Sequence, residues 1–452
     1  MNGNHNFRAF SRWLSLFIVT LALATTASAE WKEKVLYSFQ SVPDGATPVG
    51  AVVFDKQGNL YGTTRDGGSS SCPSVQQCGT VYQLAPPAKQ GDPWTETVLY
   101  IFKGNTSNDG ASPYGGLVID AAGNLYGTTG YGGTGNCTVL GSKLGCGTVF
   151  EMSPPKQKGG QWTETVLYSF PTPKQGFVPA GDLVFDGAGN LYGATIYGGG
   201  YGTNCGDAFY KYCGAVFELS PPKTKGGRWT EKVLHGFAGL AQGEQVGDGS
   251  NPNGGLVLDG KGNVYGTTYI GGYNCPHNGN QGCGTAFELR SPTQKGGVWT
   301  ETVLHRFKSS EANPAAGMTL DGSGYFYGTT AGTVFQLVPP TTKSGPWKET
   351  ILSTFNNDEA YDPGGALIFD TTGNLYGTTQ YAKASSGTVF RLRPPSRMGS
   401  NWTFAILYGF TGSPDGAVPG AKLIFDKHGN LYSTTSAGGI SAGYGTVFEV
   451  WP

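Results

Sequence analysis

The sequence predicts an all-β chain closed into a seven-bladed β-propeller, with four antiparallel strands per blade. Three observations predict it. First, the stretch Asp120-Ala121-Ala122-Gly123-Asn124-Leu125-Tyr126-Gly127-Thr128-Thr129 has close copies beginning at Asp55, Asp186, Asp259, Asp321, Asp370 and Asp426. Second, each interval between copies holds four strand-like runs bounded by turn residues. Third, the two ends are in complementary phase. Residues 31–39 read as an outer strand without its blade, and residues 445–450 as a third strand without its fourth.

Within a repeat, the apolar run before the Asp is strand A and the Leu-Tyr-Gly-Thr-Thr run is strand B. In the second repeat these are residues 117–120 and 124–129. The Asp carboxylate can accept backbone N–H groups inside the turn between them, and the Gly three residues on can take a positive φ. Turn geometry therefore accounts for both residues without a calcium or catalytic role. Residues 147–152 form strand C. Pro154-Pro155 and the following Lys/Gly run form a turn, and residues 162–170 form strand D.

Repeat length varies from 65 residues between Gly58 and Gly123 to 49 between Gly324 and Gly373, and the variation falls in loops. Sandwich domains would need about 100 residues each, and a β-helix a much shorter period. Pairing of the N- and C-terminal strands should close the ring and leave no uncovered blade face. Trp31, Trp94, Trp162, Trp229, Trp299, Trp347 and Trp402 open the D strands, where packing over the outer blade edge accounts for them.

Composition narrows the class. Charged residues are 13% of the chain, aromatics 13%, Gly numbers 75 and the net charge is −1. Strands joined by turns fit this, disorder does not, and nothing suggests a nucleic acid or an anionic membrane as partner. Arg8 and Arg12, the short apolar run 14–24 and Ala27-Ser28-Ala29 read as a signal peptide over residues 1–29. Residues 30–452 are expected to be a single propeller domain, exported to the periplasm or beyond, soluble after cleavage and monomeric.

The eight cysteines agree with export. Local placement pairs Cys72 with Cys78, Cys137 with Cys146, Cys205 with Cys213 and Cys275 with Cys283, each within one B–C loop. The pairs lack the two-residue spacing of zinc sites, and His is sparse, so no metal or other cofactor is expected.

The paired runs Gly-Asn-Leu-Tyr-Gly-Thr-Thr and Gly-Thr-Val-Phe-Glu-Leu, recurring in order, resemble those of the bacterial GloVer-type tandem-repeat proteins. That family joins such repeats to varied C-terminal surface anchors, and the resemblance implies no activity and no catalytic residues. This sequence stops at Pro452, directly after the last strand, so no surface anchor is expected.

In a propeller the B–C and D–A connections share one face. Here they are the long, variable ones, and loops on a rigid scaffold are where binding usually resides. That face is acidic, and four of its D–A linkers share Asp-Gly followed by Pro, at Asp44, Asp109, Asp248 and Asp415. Turn chemistry explains these as well; alternatively they form a partial ring of carboxylates at the channel mouth. The opposite face is basic, through residues such as Lys89, Lys156 and Arg397.

Nucleophilic catalysis finds little support in a mature chain whose only His residues are His235, His277, His305 and His428, so the sequence favours a non-catalytic protein. The expected ligand contacts are Tyr131, Tyr197, Tyr201, Tyr269 and Tyr273 in or beside the tall loops, with Asp109 and Asp248 as polar partners. A flat apolar ring with a polar tip suits glycans or the side chains of an extracellular protein. The alternative is a secreted carbohydrate-active hydrolase or lyase with its carboxylates at the channel mouth. The uneven loops, tall over the first four blades and nearly absent over the fifth, predict an open-sided cleft.

Overall fold

The computed structural model describes residues 30–452 apart from 70–77, 90, 105–106, 140, 201–204, 206–212, 225, 241–246, 274, 276–280, 295, 309–310, 343–344, 356–359, 398–399 and 441–442. The expected signal peptide therefore lies outside the described residues. Trp31–Pro452 forms one compact unit. Seven four-stranded antiparallel sheets follow one another in sequence as blades. In blade 1, strands A to D are Val53–Phe54, Leu60–Thr64, Thr80–Ala85 and Thr95–Ile101. Blade 7 takes Ile424–Phe425, Leu431–Thr435 and Thr446–Trp451 from the C-terminus and Lys32–Ser38 from the N-terminus. Lys32 lies opposite Trp451 and Ser38 opposite Thr446, as the complementary ends required.

Strand A is shorter than its apolar run. In blade 2 it is Val118–Ile119, because the Asp turn ends the ladder on one side and the Gly-rich channel wall on the other. Only blade 3 has a long one, Phe177–Phe185. Strand D carries a bulge: Val149 faces Tyr168 while Phe150 faces Val166, leaving Leu167 as the extra residue. The same shift occurs between strands C and D of every blade. The Val-Leu-Tyr run fails to alternate for this reason, since a bulge turns the residues beyond it to the other face.

The recurring motif is now accounted for atom by atom. Asp55 Oδ1 accepts the backbone N–H groups of Gln57 and Asn59, each at 2.9 Å. Asp55 Oδ2 accepts the Asn59 amide at 2.7 Å and the Tyr61 hydroxyl at 3.0 Å. Gly58 closes the turn at φ +87°. In the second copy Gly127 sits over the ring of Phe150, which a Cβ would meet at 2.7 Å. The final Thr of the motif bonds to the Thr that opens strand C, as in Thr64 with Thr80 at 2.8 Å and Thr435 with Thr446 at 2.8 Å. In four blades the preceding Thr reaches the next blade, as where Thr63 donates to the Gly115 carbonyl at 3.1 Å and Thr434 to that of Gly50 at 3.2 Å.

Blades are joined mainly by rings. The Phe that ends each strand D packs on the central aromatic of the next blade's strand C. Examples are Phe102 on Phe150 at 5.1 Å, Phe237 on Phe287 at 5.1 Å and Phe410 on Phe448 at 4.9 Å between centroids. All six of these rings are fully buried. The strand D Trp residues dock on a neighbouring blade, as in Trp162 on Tyr61 and Trp402 on Tyr327.

Candidate functional site

The linker carboxylates do not ring the channel mouth. Asp44, Asp109, Asp248 and Asp415 instead turn onto the outer strand of their own blade. Asp44 accepts the Tyr37 hydroxyl at 2.6 Å, Asp109 that of Tyr100 at 2.8 Å and Asp415 that of Tyr408 at 2.7 Å. Asp248 meets His235 Nε2 at 3.0 Å. Each also accepts a backbone N–H at the end of strand D, such as that of Lys103 at 2.9 Å or Ala238 at 2.8 Å. These are latches that hold the linker down, and their lone pairs are committed. Burial raises the Asp109 carboxyl, while Tyr100 and the backbone donors draw it back down.

A Glu of the next blade closes on most of these latches. Glu96 faces Asp44, Glu164 faces Asp109, Glu301 faces Asp248 and Glu33 faces Asp415, each buried enough to push its carboxyl well up. Blade 6 replaces this Glu with Phe404, and blade 5 replaces the facing Tyr or His with Ser353. Phe404 then packs on Phe355 at 5.8 Å. At this junction both polar partners are missing together.

The structure separates the loop-face tyrosines. Tyr131 and Tyr197 each lie 6.1 Å from the Phe177 ring and form part of the packing under the loops of blades 2 and 3. Tyr269 and Tyr273 are 36% and 48% exposed, so their faces are available to a ligand. Arg306 lies over the Tyr273 ring at 5.8 Å. Tyr201 lies outside the described residues. Three of the cysteine pairs are disulfides: Cys137–Cys146, Cys205–Cys213 and Cys275–Cys283. Cys78 is also buried and disulfide-bonded, and Cys72 lies outside the described residues.

Blade 5 has no loop to speak of between strands B and C; Thr330 N–H closes the turn on the Thr333 carbonyl at 2.9 Å. The notch above it is flanked by Tyr269 on blade 4 and by Tyr361 and Tyr381 on the far side. These last two stack at 5.5 Å with 25° between planes, and Tyr381 is 41% exposed. Asp362 stands beside Tyr361, and burial raises its carboxyl. The Tyr269 hydroxyl is raised by burial and then by the charge of Asp362. Sequence reasoning placed Asp362 on the acidic loop face but missed Tyr361 and Tyr381, because their loops carry no cysteine and little length.

The axis holds a cavity of about 480 Å³, lined by the starts of the seven A strands. Tyr114, Asn253 and Ile196 place its mouth on the loop face, and no residue of the A–B turns lines it. Gly or Ala occupies one wall position in five repeats, at Ala51, Gly116, Gly255, Gly317 and Ala366. The other two repeats put Asp182 and Lys422 there, and both line the cavity. Asp182 Oδ1 accepts the Gly116 N–H at 2.7 Å, which leaves Oδ2 unclaimed by any hydrogen bond among the described residues. Asn253 Oδ1 is shielded from solvent without a hydrogen-bond partner. The sequence signal for this site was a departure from the repeat, not a conserved feature of it.

Residues 20–205 match the Gloeobacter/Verrucomicrobia repeat. That match supports a repeat protein of this type over the matched residues. No curated protein matches it. Among solved structures the repeat protein resembles virginiamycin B lyase from Staphylococcus aureus, with 13% identity, TM-score 0.49 and coverage of 94% and 99% of the two chains. It also resembles a Trichoderma reesei carbohydrate-active enzyme of family AA12, with 12% identity, TM-score 0.45 and coverage of 94% and 96%. A third is the PQQ-bound aldose sugar dehydrogenase from Streptomyces coelicolor, with 14% identity, TM-score 0.43 and coverage of 93% and 98%. Likeness this distant carries no activity across to the repeat protein.

Proposed function

We propose that this chain is an exported binding protein whose ligand, a glycan or a peptide segment, enters the loop-face end of the axial cavity. The observation that supports it best is the cavity wall: Gly and Ala positions among apolar side chains, with Asp182, Lys422, Asn253 and Tyr114 bringing polar groups to it. A wall of this kind admits a ligand closely and orients it through a few polar groups. Export rests on the disulfides and on the signal-like residues 1–29. No described helix is long and apolar enough to cross a membrane. Tyr269 and Tyr273, with Tyr381 across the notch, extend the contact surface outward. Asp109 and Asp248 shape the linkers in this reading and do not touch the ligand.

A glycan array and a peptide library, each paired with a turnover assay on the hits, test the proposal. Asp182→Asn and Lys422→Met should each weaken a hit about ten- to a hundred-fold, the worth of one charged hydrogen bond. Tyr269→Ala with Tyr273→Ala should weaken it further. A hit unaffected by all four changes but lost on replacing Lys89 and Lys156 would place the binding face on the other side. Turnover of a hit would overturn the non-catalytic reading.

A further inference from the structure

The junction of blades 4 and 5 is one of those without the Asp latch. Between blades 4 and 5 the strand D residue is His305, the linker residue near it is Glu311, and the next blade contributes Glu349. One donor atom from each, an imidazole nitrogen and two carboxylate oxygens, lies within 4.8 Å of the others. His305 Nε2 lies 3.1 Å from Glu349 Oε2, close enough for an ion pair. Their alignment is not that of a hydrogen bond: Nε2 is shielded from solvent and has no hydrogen-bond partner. Glu349 Oε1 is shielded and without one too, but so is the matching Oε1 of Glu33, Glu96, Glu164, Glu231 and Glu301, so the unpartnered imidazole nitrogen is what sets this junction apart. The side chains are only 17% and 12% exposed.

The neighbouring junction shows what a settled pair looks like. There His235 Nε2 meets Asp248 Oδ2 at 3.0 Å, and Asp248 Oδ1 accepts the Ala238 and Gly239 N–H groups. Across blades 4 and 5 that arrangement is not made. A buried imidazole nitrogen without a hydrogen bond is costly. A cation held by all three removes it.

We propose that His305, Glu311 and Glu349 bind a divalent transition ion of the zinc class across the outer junction of blades 4 and 5. One imidazole and two carboxylates, with water completing the shell, suit Zn²⁺. Calcium prefers six to eight oxygens, and this site offers too few. The ion joins two blades, of which only blade 4 carries a disulfide. It therefore takes over the work of the missing latch.

The test is calorimetric titration of the purified, tag-free protein with Zn²⁺, together with the visible spectrum of its Co²⁺ form. One equivalent should bind and raise the melting temperature, and Co²⁺ should give the absorption of a low-coordinate site. Glu311→Gln, on a linker, should lower affinity at least tenfold, and His305→Gln should remove the Co²⁺ band. His235→Gln, at the sister junction, should bind as the parent does. If His305→Gln fails to fold, Glu311→Gln decides. No uptake of Zn²⁺ at millimolar concentration would overturn the site, as would unchanged affinity in Glu311→Gln. Displacement of Zn²⁺ by calcium would overturn the role of the imidazole. Neither result bears on ligand binding at the axis.

Discussion

The ring of Phe39 packs edge-on against that of Tyr82, with centroids 5.1 Å apart. Phe39 follows the strand that completes the last blade, and Tyr82 is the central aromatic of the first, so this contact closes the circle. Both residues are fully buried. The N-terminal strand thus supplies blade 7 with its outer ladder and blade 1 with part of its core.

Deleting residues 30–40 should remove both at once. The outer side of Thr446–Trp451 would lose its pairing, and Tyr82, Leu60 and Leu84 would lose cover. The melting temperature should fall sharply, and dye binding to exposed apolar surface should rise. A melting temperature equal to that of the parent would mean that the ring does not depend on this closure.

Stability should fall as pH rises from about 5 to about 8.5. Burial, reinforced by Asp415, pushes Glu33 up to about 8. Burial raises Glu96, Glu164, Glu231 and Glu301 to about 7, with Asp44, Asp109 and Asp248 adding to it for Glu96, Glu164 and Glu301. The folded chain holds these protons after the unfolded chain, titrating near 4.5, has released them. Their contribution is therefore complete below the unfolded value, is lost progressively as pH rises from about 4.5, and is gone above the folded values of about 7 to 8. Melting curves across this range check the slope, and Glu96→Gln with Glu164→Gln should flatten it.

The Thr pairs give a matched comparison. Thr129 Oγ1 bonds to Thr148 Oγ1 at 2.8 Å and accepts the Thr148 N–H at 3.2 Å. Thr129→Val leaves that N–H buried without a partner and should cost about 1–3 kcal/mol. In blade 3 the equivalent Thr195 faces Ala215, and its hydroxyl is buried without a partner. Thr195→Val removes an unsatisfied group at nearly constant shape and should be neutral or stabilising. Denaturant melts of the two variants should move in different directions.

The disulfides close loops of 9, 8 and 8 residues. In the chain-entropy model a loop of this size gains about 2–3 kcal/mol. Replacing Cys137 and Cys146 by Ser should therefore lower the unfolding free energy by about that amount, while the blade strands keep their circular dichroism. Non-reducing peptide mapping should recover only within-loop pairs.

Repeat period, turn chemistry and the phase of the two ends determined the propeller and its closure, because each rests on local pattern repeated in order. Asp55, Gly58 and Tyr61 do in space what their spacing announced. Local cysteine placement likewise found the three disulfides whose two cysteines both lie among the described residues, since loops of this length leave each cysteine one near partner. The bulge at Leu167 was not legible, because a one-residue register shift depends on the strand it pairs with. Nor was the fate of Asp44 or Asp109: an Asp-Gly linker looks alike whether its carboxylate faces the axis or the outer strand, and only the position of Tyr37 or Tyr100 decides that. The cavity wall brings together Asp182 and Lys422 from blades 3 and 7. The junction of blades 4 and 5 brings together His305, Glu311 and Glu349. These groups are distant in sequence or separated by a blade boundary, and ring closure alone puts them within reach of one another.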